Sequence, residues 1–164
     1  EGRPSRGCLY FGLMLTKDGP KVIEYNCRFG DAETQVVLPL LESDLLTVMQ
    51  ACASGALTAE QVKFRRGAAC CVILASAGYP GSYEKGYEIT IPDDLDAVVY
   101  HAGSVLKDGR LVTAAGRVLG VTGTGETLRQ AVGRAYAAVD RVKFQNAFCR
   151  RDIGQKALQR KGRS

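Results

Sequence analysis

LYFGLMLTKDGPKVIEYNCRFGDAETQVVLPLL, residues 9–41, is the stretch from which the fold is read. The apolar run Leu9 to Leu15 meets the turn signal Lys17-Asp18-Gly19, and Lys21 to Asn26 returns as a second strand, so a β-hairpin is expected. Gly30-Asp31 breaks the second strand. Glu33 to Leu41 then reads as a short helix interrupted by Pro39, which lacks the N–H a helical ladder needs. Ser43 is a good N-cap for a further helix, because its hydroxyl accepts an orphan backbone N–H; Leu45, Leu46, Val48 and Met49 give that helix a buried face ending near Gly55.

Beyond Gly67 the composition becomes strand-rich. Ala69 to Ala75 is continuously apolar, Gly78, Pro80 and Gly81 signal turns, and short strands are expected near Glu88 to Ile91 and Val98 to His101. Lys107-Asp108-Gly109 suggests another hairpin, followed by a strand through Arg117 to Val121. Leu128, Ala131, Val132, Ala135, Tyr136, Val139 and Val142 recur at helical spacing while Arg129, Gln130, Arg134 and Arg141 fall elsewhere, so this helix should lay its stripe on the sheet. The fold class is α+β in two parts: terminal strands and helices in residues 1–60, then a small β-rich domain with one long packed helix in residues 61–164.

Hydrophobic residues form 46% and charged residues 24% of the chain, a balance that argues against disorder or a coiled coil and for ordinary globular folding. No apolar run approaches the roughly 20 residues of a bilayer span, and the opening EGRPSRG lacks the apolar core of a signal peptide, so a soluble, cytoplasmic protein with no membrane partner is expected. The net charge of +5 is spread along the chain except in the tail RKGRS and at Arg150 and Arg151; with no accompanying binding motif, a solvated terminus rather than a nucleic-acid partner is expected. Cys8, Cys27, Cys52, Cys70, Cys71 and Cys149 show no C-x-x-C or zinc-finger spacing and read as reduced, mostly buried thiols.

Alternation along the second strand places Glu24 and Asn26 on one face, with Arg28 continuing it if the strand runs that far, and turns Ile23 and Tyr25 to the other. A carboxylate and an amide oxygen two residues apart are hard donors suited to Mg²⁺, and Arg28 beside them could hold a phosphate or carboxylate bidentately. Spacing alone leaves open the alternative that these are polar residues on the solvent face of a hairpin.

The run Arg28-Phe29-Gly30-Asp31-Ala32-Glu33-Thr34-Gln35 resembles the signature of the glycinamide ribonucleotide synthetases (phosphoribosylamine-glycine ligases), and residues 9–41 resemble the end of that family's ATP-grasp domain. ASAGYPGSYEKG at Ala75 to Gly86, HAG at His101 to Gly103, KDGRLVTAAGRVLGVT at Lys107 to Thr122 and FCRRDIG at Phe148 to Gly154 resemble its C-terminal domain. The Glu-x-Asn-x-Arg strand and GRVLGVT also resemble biotin carboxylases, but the Arg28 to Gln35 signature argues against them; the other alternative is a non-catalytic module that folds and mediates interdomain contacts only. The resemblance implies an ATP-dependent ligase in which Glu24 and Asn26 bind Mg²⁺ or Mn²⁺ between the phosphates of ATP, Arg28 lies near the transferred phosphoryl group as the catalytic residue, and Asp31 orients the amine substrate. It further implies glycine, 5-phosphoribosylamine and ATP as substrates, glycyl phosphate as intermediate, and a missing N-terminal portion with the remaining ATP-grasp lobes, without which the fragment is inactive. Two departures stand out: Ala32 where the family usually has Pro, which should loosen the start of the following helix, and Ala115 where it usually has Gly.

Other features carry less chemistry. Gly120, Gly123 and Gly125 fit neither G-x-G-x-x-G nor a Walker A pattern and read as a strand-to-helix turn. His101 lacks a companion nucleophile and reads as a hydrogen-bonded structural residue. Glu84-Lys85 and Asp93-Asp94 read as solvated turn residues.

Overall fold

The computed structural model describes residues 2 and 4–160, so most of the basic tail lies outside the described residues. The chain divides between Arg65 and Arg66 into two compact units. In the first, β1 (Tyr10–Thr16) and β2 (Gly19–Asn26) form an antiparallel hairpin. Its register is interrupted by a bulge: Gly12 faces Glu24 while Leu13 faces Val22, leaving Ile23 as the extra residue.

After the hairpin, α1 (Thr34–Val37) is one turn long and passes into a 3₁₀ turn at Leu38–Leu40, with Pro39 near its start where the missing N–H costs nothing. Helix α2 (Leu45–Ser54) is capped by Asp44, not Ser43: the backbone is extended at Asp44, whose side chain accepts the Thr47 N–H at 2.7 Å. Ser43, one residue too early to reach the helix, accepts the Lys63 N–H at 2.7 Å instead. Gly55 ends α2 with φ 76, the left-handed stop that glycine adopts without steric cost.

The expected buried face of α2 does not form. Leu45 and Val48 are half-buried and Leu46 is 63% exposed; with Val37, Leu38, Leu41 and Phe64 the helix borders an apolar cavity of about 480 Å³. Among the described residues of this unit only Gly30 is buried.

The second unit has a core. Its four-stranded antiparallel sheet has the order β4 (Val98–His101), β7 (Arg117–Gly125), β3 (Ala68–Ser76), β8 (Ala147–Phe148). Between β4 and β7, β5 (Ser104–Lys107) and β6 (Arg110–Thr113) make a separate hairpin whose Asp108 and Gly109 have φ 50 and 75, the two positive angles of a tight hairpin turn. Helix α3 (Leu128–Val139) lies on the sheet, its first turn closed by reciprocal hydrogen bonding between Thr127 and Gln130. Val72, Val118, Leu119 and Val121 of the sheet and Ala131, Ala135 and Val139 of α3 are almost fully buried. The helix stops at Val139, and Val142 is buried in the segment that follows it. A terminal helix, α4 (Gln155–Arg160), ends the described chain.

Two expectations are corrected here. The strand expected at Glu88 to Ile91 is two isolated bridges, Glu88 to Val112 and Thr90 to Lys143, because the segment changes partners before a ladder can extend. Gly120, Gly123 and Gly125 belong to β7 itself, not to a turn. A Cβ on Gly123 would fall on the Ala131 carbonyl and 2.5 Å from the Ala135 nitrogen, and one on Gly125 would lie 2.7 Å from Gln130 Cβ; the glycines let the backbone of α3 approach the strand.

Among the described residues no disulfide joins the six cysteines, but only Cys70 is buried; Cys27 is exposed and the others lie between. The expectation of mostly buried thiols fails because Cys8, Cys27 and Cys52 belong to the unit without a core and Cys71 and Cys149 are only half-buried in the other. Arg150 and Arg151 each hold a carboxylate, Asp152 at 2.7 Å and Asp140 at 2.6 Å. Among the described residues no helix is long and apolar enough to cross a membrane.

Candidate functional site

The hairpin register builds the candidate site. Directly opposed residues of an antiparallel pair share a face, so the pairs Tyr10–Asn26 and Gly12–Glu24 set these four residues side by side, while Phe11 and Tyr25 stack edge-to-face on the other face with ring centroids 5.1 Å apart. Asn26 Nδ2 donates to Glu24 Oε1 at 3.1 Å, which brings the two predicted metal ligands together. Gly12 gives Glu24 its room: a Cβ there would stand 2.9 Å from Glu24 Cγ.

Arg28 and Asp31 are placed differently. Strand β2 ends at Asn26, so Arg28 does not continue the Glu24–Asn26 face; it is exposed in the following bend and donates to the Phe29 carbonyl at 2.9 Å. Asp31 is exposed and accepts from Gln35 Nε2 at 3.3 Å across the start of α1. Ala32 has φ 69 and precedes the first helical turn, which begins after Glu33. The effect expected of Ala32 on that turn is therefore corrected: its left-handed backbone is one a proline, fixed near −65°, could not adopt.

Two further residues belong to this neighbourhood. Tyr10 donates its hydroxyl proton to Glu33 Oε1 at 3.2 Å, and its phenol pKa is raised by burial and by the nearby carboxylates of Glu33 and Glu24. Counting back from the turn without a bulge pairs Phe11, not Gly12, with Glu24, so simple alternation hides Tyr10; Glu33 was visible as a helix residue and a member of the signature run, with no role of its own. Among the described residues no cluster of three or more His, Cys, Asp or Glu is placed to hold a metal.

His101 Nδ1 lies 2.8 Å from Ser104 Oγ, a local contact around the turn into β5. In the turn-rich segments Asp94 is ion-paired with Arg141 at 2.5 Å and Glu84 accepts from the Tyr87 hydroxyl.

The family described as "Phosphoribosylglycinamide synthetase, C domain" matches residues 69–156, and "Phosphoribosylglycinamide synthetase, ATP-grasp (A) domain" matches residues 1–34. The chain is 50% identical to the phosphoribosylamine–glycine ligase of Agrobacterium fabrum over 98% of its own length and 38% of that protein. It is 51% identical to the trifunctional purine biosynthetic protein adenosine-3 of Gallus gallus, over 96% of its length and 16% of that protein. Among solved structures, the phosphoribosylamine–glycine ligase of Thermotoga maritima superposes with a TM-score of 0.78 at 42% identity, covering 88% of this chain and 36% of that one. The biotin carboxylase subunit of pyruvate carboxylase superposes with a TM-score of 0.62 at 18% identity over 87% of this chain and 33% of that one, a likeness of fold. The chain thus spans well under half the length of these relatives.

Proposed function

The chain belongs to the phosphoribosylglycinamide synthetase family, and from that premise we propose that it is the C-terminal part of a cytoplasmic ligase that uses ATP to join glycine to 5-phosphoribosylamine. Residues 1–60 would be the end of its ATP-grasp domain and residues 61–164 its C-terminal domain. The observation that carries the proposal is the shared face of Glu24 and Asn26, linked at 3.1 Å on a strand whose flanking signature matches the family. The hairpin supports the reading of a part: Phe11, Leu13, Leu15, Ile23 and Tyr25 are between 49% and 72% exposed, apolar surface that further ATP-grasp lobes would cover. Six cysteines without a disulfide fit a reducing compartment.

Glu24 and Asn26 fit a hard divalent cation such as Mg²⁺ or Mn²⁺, because their carboxylate and amide oxygens are two donors of the required kind and Mg²⁺ usually takes the rest of its shell from water and phosphate. When bound, the ion would neutralise charge that builds on the phosphoryl oxygens. Arg28 has one N–H on the Phe29 carbonyl, and its remaining donors can meet a phosphoryl oxygen. Asp31 would accept a hydrogen bond from an N–H of the incoming amine and orient it. Glycine's carboxylate attacks the γ-phosphorus of ATP, expelling ADP; the amine of 5-phosphoribosylamine then attacks the carbonyl of glycyl phosphate, and phosphate leaves as the amide forms.

Replacing Asn26 by Ala in the full-length ligase tests the reading. A half-exposed strand position should change stability by no more than about 0.5 kcal/mol, whereas loss of a metal ligand should lower kcat by roughly 100-fold or more and raise the Mg²⁺ concentration needed for half-maximal rate. A rate and Mg²⁺ dependence equal to those of the wild type would remove Asn26 from the site and weaken the case for Glu24. The chain by itself should form no product, since the residues that hold the nucleotide must converge from other lobes; turnover that survives repeated purification would overturn that statement.

A further inference from the structure

We propose that Tyr10 is a positioning residue: through Glu33 it holds the turn that carries Arg28 and Asp31 against the Glu24–Asn26 face. The proposal rests on the ligase reading for its functional consequence and on the geometry of the first unit for its mechanics.

The links form a chain of contacts. Tyr10 stands opposite Asn26 in the register and therefore on the face of Glu24 and Asn26. Its hydroxyl donates to Glu33 Oε1 at 3.2 Å, 23 residues along the sequence, which ties β1 to the start of α1. Glu33 does not cap α1 with its side chain; its carboxylate is turned back, with Oε2 where a Cβ on Gly30 would stand. Gly30 is buried, alone among the described residues of the unit, and its carbonyl accepts from both the backbone N–H of Thr34 at 3.2 Å and the Thr34 hydroxyl at 2.5 Å. Arg28 and Asp31 flank this knot, one on each side.

Without the tie, the segment from Cys27 to Ala32 keeps β2 on one side and the bonds of Gly30 to Thr34 and of Asp31 to Gln35 on the other, but loses its link across to β1. Both polar side chains of the turn are exposed, so apolar packing does not fix them. A displacement of about 1 Å in a positioning group can lower a rate by about 100-fold.

The test is a double-mutant cycle in the full-length protein that carries this chain, read by kinetics and by hydrogen exchange. Tyr10→Phe keeps the ring and removes the donor; Glu33→Ala removes the acceptor; Glu33→Gln keeps an acceptor oxygen. Tyr10→Phe and Glu33→Ala should each lower kcat by about 10-fold or more while the KM for ATP and the Mg²⁺ requirement stay within about twofold, since Glu24 and Asn26 are held by the strand. The double variant should be no slower than Glu33→Ala alone, and Glu33→Gln should retain most of the wild-type rate. The amide of Thr34 should exchange faster in Tyr10→Phe and Glu33→Ala than in Glu33→Gln.

Unchanged kcat in Tyr10→Phe, or single effects that multiply independently in the double variant, would overturn the proposal. So would faster exchange without any loss of rate, which would leave the tie purely structural. A wild-type protein without glycine-dependent ATP cleavage would instead defeat the ligase reading; unchanged Thr34 exchange in Tyr10→Phe would then still defeat the tie.

Discussion

The two units of the chain solve opposite problems. The second buries a core of its own, with Leu119, Val121, Ala131 and Ala135 at 0% exposure, although Leu106 at its hairpin is 71% exposed; the first exposes Leu15 at 72% and Ile23 at 63% and buries one glycine among its described residues. A core of packed aliphatic side chains supplies most of the free energy that offsets chain entropy. The second unit therefore has the means to fold alone, whereas the first has a hydrogen-bonded hairpin and an open apolar cavity. The candidate chemistry lies in the unit without a core, which fits the proposal that the site is assembled from several lobes.

The largest effect should come from the core. Leu119→Ala leaves a void where the sheet meets its surroundings and should cost about 2–5 kcal/mol, whereas Leu15→Ala, on the exposed hairpin, should stay within about 0.5 kcal/mol. Thermal melts of the two variants decide the matter. Equal shifts would mean that the hairpin is packed in solution and that the contrast between the units is wrong. Native-state hydrogen exchange sharpens the same point: amides of β3 and β7 should exchange only through global opening, and those of β1 and β2 through cheaper local openings.

A smaller effect should follow from Gly123→Ala. The added methyl meets the backbone of α3 at Ala131 and Ala135, and backbone cannot swing aside as a long side chain can, so a loss of about 1–3 kcal/mol is expected. Gly19→Ala in the hairpin turn, where no atom lies within 4 Å of an added Cβ but φ is 97, should strain its turn without moving the main melt. A main transition that moves as far for Gly19→Ala as for Gly123→Ala would show that the two units melt together.

The sequence was legible where the signal is local. The hairpin and the strand β3 follow from apolar runs and their turn residues, and the stripe of α3 from periodicity, because each side chain's direction is set by its own backbone. It was less legible where one segment answers to another. The bulge at Ile23 changes which residue faces Glu24, and a one-residue insertion leaves no mark on alternation. Gly123 and Gly125 of β7 looked like a turn because their reason, the approach of α3, lies several residues further along. Glu24 and Asn26 were legible as a pair because both sit on one regular strand; Arg28 was not legible as their neighbour because the strand stops before it. The apolar positions of α2 read as core, since periodicity reports a face without saying what covers it.

The smallest effect expected concerns acid. Asp94 has its pKa lowered, first by a hydrogen bond from Arg141 and then by its backbone and by the charge of that guanidinium, in an ion pair of 2.5 Å within the second unit. A carboxylate whose folded-state pKa lies below its unfolded value stabilises the fold above the unfolded value, about 3.9, and loses that contribution as pH falls through the lowered one. The pair is exposed, so solvent screens it and the contribution is small. Asp44 is lowered as well, chiefly by the Thr47 backbone N–H that it caps, but it belongs to the first unit. Melting temperatures measured from pH 2.5 to 6 should therefore respond unequally. Asp94→Asn should flatten the acid limb below pH 4 and leave the neutral plateau slightly lower, because the ion pair is gone at every pH. Asp44→Asn keeps a capping oxygen and should leave the main transition unchanged throughout, its effect confined to exchange at the start of α2. An acid limb altered by Asp44→Asn and untouched by Asp94→Asn would place the cooperative unit in the hairpin half of the chain and reverse the comparison.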